Sequence, residues 1–154
     1  MWDKMKKYLG YAWASPLTIF GLTYAGLFTL LGWYRWMGVK DDALVWLVNN
    51  DKVPTWLSKT WKRWAGHAVG NVVVLKDMKA IILKHEQKHV AQMMRLGIIW
   101  PVVYFGSMLV IKWGCTSSDS YYDNPFEIDA RRHAGQLIDI IGMKNKILEG
   151  KKTT

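Results

Sequence analysis

From Leu9 to Tyr34 the chain carries no charged residue, a run of 26 positions. As a helix, such a run would extend about 39 Å, more than the roughly 30 Å of a bilayer's hydrocarbon core. It must therefore be covered, by lipid or by another protein. Lys4, Lys6 and Lys7 precede it and Arg35 follows. Its glycines and Pro16 are interruptions that membrane helices tolerate better than soluble ones. Ala12-Trp13-Ala14 lies ahead of the strongest apolar stretch rather than after it, which argues against a cleavable signal peptide. We expect residues 1–40 to form an apolar N-terminal segment, either a transmembrane anchor or a helix packed on protein, ahead of one domain at 41–154.

A second uncharged stretch, Leu96 to Ile111, contains Pro101 and is short for a full span, so it reads as a buried or re-entrant helical hairpin. With 154 residues there is room for one core and little else. The net charge of +9 points to an anionic partner, but Lys and Arg are spread along the chain apart from a modest cluster at 59–63. A nucleic-acid module would concentrate them on one element, so nucleic acid is an unlikely partner. Ten tryptophans, several beside positive charges as in Trp33-Tyr34-Arg35-Trp36, suit either a membrane interface or a packed core. The single cysteine, Cys115, excludes an internal disulfide and a cysteine zinc site.

Pro54 and Thr55 are expected to start a helix with Trp56, Leu57, Trp61 and Trp64 on one face and basic residues on the other. His67, in a glycine-flanked loop, reads as solvated. Asn71 to Leu75 reads as a short buried strand, and Asp77 as the cap of a helix running to Gly97. Asn124-Pro125-Phe126-Glu127 opens another helix with cap, Pro and Glu in capping-box order, ending or kinking at Gly142. The fold expected is mainly α with a small β element.

The helix ending at Gly97 contains His85-Glu86-Gln87-Lys88-His89. Residues four apart share a helix face, so the two imidazoles can hold one Zn2+ ion while Glu86 acts as general base on its water. A catalytic zinc takes three protein ligands and leaves one position open. Gln92 and Arg95 stand where a metzincin needs Gly and His, which excludes that class. The third ligand is then a downstream carboxylate: Glu127 or Asp129, with Asp123 and Asp139 behind them. The strand at Val72–Leu75 occupies the place of the edge along which zinc peptidases bind an extended substrate.

The succession GNVVVL, HEQKHVAQMMRLG, an apolar stretch and YYDNPFEIDARRHA resembles a group of short HExxH proteins of bacterial and phage genomes. These carry HExxHxxQ, an LGxxxxPxxY-like stretch and a Y-x-(D/N)-NPFExEA helix, and are regarded as gluzincin-type metallopeptidases. The resemblance covers residues 66–134 and implies a minimal zincin-like core. Glu127-Ile128-Asp129-Ala130 is also similar to the third-ligand helix of integral-membrane zinc proteases, which implies that Glu127 is the third ligand. Those proteases have Asp after the Ala, where this chain has Arg131.

The expectation is thus a zinc metallopeptidase with Glu86 activating water and His85, His89 and Glu127 holding Zn2+. Tyr122, Asp129, Arg131, His133 and Gln92 are candidates for transition-state or ligand-orienting roles. The partner is a peptide or protein substrate, with a cell-envelope peptide as one candidate, and the setting a membrane or a virion reached through the apolar segments. The competing expectation is a structural membrane or virion component that keeps a zinc site without catalysis.

Overall fold

Val72, Val73, Val74 and Leu75 form a strand in which every side chain is buried, so the sheet must be covered on both faces. The computed structural model describes residues 2–56, 59, 64–114 and 119–136. Among these, β1 (Tyr34–Lys40), β2 (Ala43–Val48), β3 (Gly66–Val69) and β4 (Val72–Leu75) form one sheet in the order β1-β2-β4-β3. β1 and β2 are antiparallel through a turn at Asp41-Asp42, β2 and β4 run parallel, and β3 returns antiparallel on β4. The sheet is larger than the single expected strand. Residues 34–40 are part of it, so the expected division at 40/41 falls in the β1–β2 turn.

The period of two along β4 sorts its side chains onto two cores. Val72 and Val74 join Trp46, Val48 and Tyr34 beneath α1 (Trp2–Leu30), where Ala25, Tyr24 and Phe28 meet them. Val73 and Leu75 join Val45 beneath α2 (Ala80–Leu96), where Val90, Ile82 and Leu83 cover them. The layers are therefore helix, sheet, helix, and the molecule is mainly helical with a small sheet.

The uncharged N-terminal run is not a free anchor on this architecture. One stripe of α1, Gly10, Ala14, Gly21 and Ala25, packs on the body. Its small residues let α1 come close: a methyl group on Gly21 would meet Val69 O and Val72. Pro16 leaves Ala12 O without its helical N–H donor, and the Ser15 hydroxyl donates to that oxygen at 2.7 Å instead. The opposite face, including Ile19, Phe20 and Leu27, is exposed.

α2 ends at Gly97, as its sequence predicts, but Asp77 does not cap it: the N-cap is Lys79, which makes no side-chain cap bond. A 3-10 turn (Gly97–Ile99) then leads into α3 (Trp100–Gly114). By length and composition, Ala80–Gly114 is one 35-residue helical stretch apolar enough to cross a membrane. Gly97 interrupts it with φ 55°. A straight helix would hold positions 89 and 104 about 22 Å apart, yet the His89 and Tyr104 rings are 6.2 Å apart. The chain bends sharply at Gly97, at the very start of Leu96–Ile111, so that stretch holds one turn and one helix, and the hairpin is formed by α2 and α3 together. α4 (Pro125–Ala134) closes on α2, capped by Asn124 and stopped by Gly135 in the left-handed conformation, well before Gly142. Gly142, Cys115 and most of the helix expected after Pro54 lie outside the described residues.

Gly97 is the position where the bend leaves least room, because a Cβ there would lie 2.5 Å from the Trp13 indole. Gly97→Ala combines a positive φ with that overlap and is expected to lower stability by about 2–4 kcal/mol in urea denaturation. A change below about 0.5 kcal/mol would show that the bend does not need glycine.

Candidate metal centre

α2 has two working faces. Ile82, Leu83 and Val90 go to the sheet, while His85, His89 and Gln92 turn toward α4, the helix packed most closely on it. All three, with Glu86, are buried, although their residue types rarely are without partners. The partners come from α4. Its start is fixed by Asn124, whose side chain accepts from Phe126 N–H at 3.0 Å. Asn124 Nδ2 also donates to Tyr104 O on α3 at 3.2 Å, tying the two helices together. With that start, Glu127 points inward and is 2% exposed. It does not complete a capping box.

His85, His89 and Glu127 form the one group among the described residues arranged to hold a metal ion. His85 Nε2 and His89 Nε2 are 3.1 Å apart, His85 Nε2 is 3.3 Å from Glu127 Oε2, and His89 Nε2 is 3.2 Å from Glu127 Oε1. Ligand atoms at about 2.0–2.1 Å from a tetrahedral ion stand about 3.3 Å from one another. The two imidazole nitrogens stand close to that spacing from each other, and each stands close to it from one oxygen of the Glu127 carboxylate, His85 from Oε2 and His89 from Oε1.

The network around them decides which atoms carry protons. Gln92 Nε2 donates to Phe126 O at 3.1 Å and to Asp129 Oδ2 at 3.0 Å, two groups that can only accept. Its Oε1 must therefore be the atom facing His89 Nδ1 at 2.9 Å, so Nδ1 carries the proton and donates. In neutral His89 this leaves the lone pair on Nε2, facing the cluster. Gln136 Oε1 stands 2.9 Å from His85 Nδ1 and does the same for the other imidazole. On Glu127, Oε1 accepts from the Tyr104 hydroxyl at 2.6 Å. Oε2 is buried and accepts no hydrogen bond among the described residues. Two lone pairs and a carboxylate oxygen thus converge without a donor between them, a donor set that fits a cation. Burial works against the charge on Glu127; whenever the imidazoles turn a proton toward it, His85 and His89, with the Tyr104 hydroxyl, outweigh burial and hold its carboxyl well below the usual range.

Glu86 lies beside this cluster rather than in it. It packs on β3, where a Cβ at Gly66 would come within 3.1 Å of its Oε1. Burial pushes its carboxyl up to about 8, with the charge of Glu127 adding to the rise and that of His85 opposing it. Such a carboxyl is poised to take up and release a proton near neutral pH.

Asp129 serves Gln92 and Lys88 and is half exposed, so it stands outside the metal group. Arg131 is buried, with Nη2 3.6 Å from Glu127 Oε2, and its Nη1 donates to Tyr122 O at 2.9 Å. Its guanidinium also lies over the Tyr122 ring at 4.4 Å. Where the membrane proteases have an acid, this chain thus sets a cation against the carboxylate of the third candidate ligand. Tyr122 is placed by these contacts to hold Arg131. His133 is exposed and lines a separate shallow pocket with Asp41, Asp42 and Gln87, so it is not brought to the cluster. Asp123 is engaged by Asp119 N–H in the preceding loop, and Asp139 lies outside the described residues. His67 is not solvated: half-buried in β3, it bonds the Tyr24 hydroxyl at 2.6 Å, and burial lowers its imidazole to about 4.

Two residues of this site were not expected from the sequence. Tyr104 is the only tyrosine in the apolar stretch after Gly97, and that isolation in the LGxxxxPxxY-like spacing was the available signal. Gln136 carried none, being one residue past the stop of α4. No family model matches the chain, and neither does any curated protein or solved structure.

Gln92→Leu keeps the volume but removes the acceptor for His89 Nδ1–H. It is expected to weaken zinc binding about 10–100-fold in competition with a chromogenic chelator. Unchanged affinity would mean that the amide does not orient the ligand.

The raised carboxyl of Glu86 gives a second prediction, for metal-free protein. Its folded value of about 8 lies above the ordinary 4.5, so its contribution is fully present below pH 4.5 and is lost as pH rises through 8. Glu86→Gln should flatten that alkaline loss in urea titrations at several pH values. Identical pH dependence in both proteins would contradict the burial assigned to Glu86.

Proposed function

We propose that the protein is a zinc-dependent peptide hydrolase of gluzincin type, with Glu86 as its general base. The observation that carries this reading is the pairing of a buried His-His-Glu group, close enough together to hold one ion, with a separate buried carboxyl, Glu86, beside it on the same helix. Two imidazole nitrogens and one carboxylate suit zinc and leave a fourth position open, the pattern of catalytic rather than closed structural sites. The resemblance to short HExxH metallopeptidases points the same way. His85 and His89 would hold the ion through Nε2, and Glu127 through its carboxylate. When bound, zinc supplies Lewis acidity that polarises a carbonyl and acidifies water.

The rest of the chemistry falls to this chain's own groups. Glu86 takes the proton from the attacking water at its carboxylate and delivers it to the departing amine. Gln92 and Gln136 keep the imidazole protons on Nδ1. Arg131 balances the charge of Glu127 from the side away from His89. The substrate strand is proposed to lie along β3, not along Val72–Leu75 as the sequence suggested. β4 has a neighbour on each side, whereas β3 ends the sheet and abuts Glu86 at Gly66. A peptide bond in a membrane-associated or cell-envelope protein is the substrate class, and a membrane or virion surface the location.

Glu86→Gln is expected to retain stoichiometric zinc by elemental analysis while hydrolysis of a generic casein or peptide substrate falls about 10²–10⁴-fold. Retained hydrolysis would remove Glu86 from its role. The exposed apolar helix faces favour a second reading, a structural membrane or virion component with a metal site that stabilises α4 against α2. Under that reading, zinc removal lowers the melting temperature, and the wild-type protein hydrolyses nothing.

A further inference from the structure

We propose that the outer faces of α1 and α3 form one docking surface for an anionic lipid bilayer, and that the protein lies on the bilayer without crossing it. α1 packs on the turn at Gly97–Ile99, where Trp13 covers the bend from which α3 departs. On α1, Ile19, Phe20 and Leu27 are exposed; on α3, Val102, Val110 and Trp113 are more than 70% exposed. Apolar side chains left in water over two helices exceed what a monomeric soluble surface carries. Neither helix bears an acidic residue after Asp3. The charges at their ends are basic: Lys4 and Lys6 in the first turns of α1, and Lys112 in the last turn of α3. An apolar face with a rim that is basic apart from Asp3 complements acyl chains bordered by anionic headgroups. A second copy of the chain, also at +9, would bring like charges together at that rim.

The dimensions choose between lying on and crossing. α3 has 15 residues, about 22 Å of helix, against roughly 30 Å of hydrocarbon. α1 is longer, but its inner stripe is committed to the sheet and to α2 along its length. The inner face of α3 carries Trp100 and Tyr104 against His89 and Glu127. Docking by the outer face therefore holds the metal cluster about one helix diameter, roughly 10 Å, from the lipid. This inference rests on the exposed surface and stands apart from the peptidase reading.

The test is co-sedimentation of the full chain with large unilamellar vesicles, of phosphatidylcholine alone or with about 30% phosphatidylglycerol. Wild-type protein is expected to pellet with the anionic vesicles, less so as salt is raised. Val102→Glu with Val110→Glu changes two side chains that are exposed and uninvolved in the core. Partitioning should fall about tenfold or more, with the circular dichroism spectrum and zinc content unchanged. Wild-type protein that stays in the supernatant, or a double variant that pellets like wild type, overturns the proposal. Elution of lipid-free wild type as a discrete dimer abolished by the same double variant also overturns it, in favour of a second copy. Zinc content of the same samples separates the two readings: vesicle binding by a protein that takes up no zinc leaves the docking surface standing and removes the hydrolase.

Discussion

Three acceptor atoms converge in a buried space without a proton among them, and the rest of the structure is arranged around that cost. Two imidazole lone pairs 3.1 Å apart, each 3.2–3.3 Å from a different oxygen of one carboxylate, would repel without a cation or shared protons. The tautomers are imposed from outside: Phe126 O and Asp129 fix the amide of Gln92, and Gln92 fixes His89. A protein gains nothing in stability from burying such a set unless something positive occupies it. Arg131 supplies part of that charge from one side, at 3.6 Å, which is too far to satisfy Oε2.

The scaffold that holds this set is small and leans on a few tight contacts. α2 is pinned to the sheet by Val90 over Val73 and Leu75, while its opposite face is free to present His85 and His89. Asn124 caps α4 and reaches Tyr104 O, so the start of α4 and the position of α3 are decided together. The bend at Gly97 brings Tyr104 back to the carboxylate it orients. These contacts are each single hydrogen bonds or single close approaches, yet all are buried, where losing one partner leaves the other unsatisfied.

What the sequence showed well was local. HEQKH and NPFE are read within one or two helical turns, so His85, His89 and Glu127, the group that could hold a metal, could be named from spacing, resemblance and cap chemistry. The all-apolar run at 72–75 announced a strand buried on both faces. The β1–β2 hairpin was missed because Trp33–Trp36 was read for its charges and aromatics, and the Asp41-Asp42 turn does not have the usual Asn-Gly or Asp-Gly signature. The partnership of β2 with β4 is parallel and non-local, and no short-range pattern encodes it. α1 was ambiguous for a deeper reason. Small residues at Gly10, Ala14, Gly21 and Ala25 are what close helix packing needs, whether the neighbour is a second helix in lipid or a sheet in water. Periodicity could say that one stripe would be buried, but not against what.

The same ambiguity explains why α3 is composed as it is. A helix of a soluble core would put its polar residues outward; α3 instead turns its one tyrosine inward to Glu127 and leaves valines, leucine and tryptophan outside. Its inner neighbour is the buried His-His-Glu group, which gives the tyrosine hydroxyl a carboxylate to bond. Tyr104 is held at Glu127 by Asn124 Nδ2, which donates to Tyr104 O, and by Phe126, whose ring packs on the tyrosine ring. The chemistry of the site and the surface that covers the molecule are thus two sides of one fifteen-residue helix.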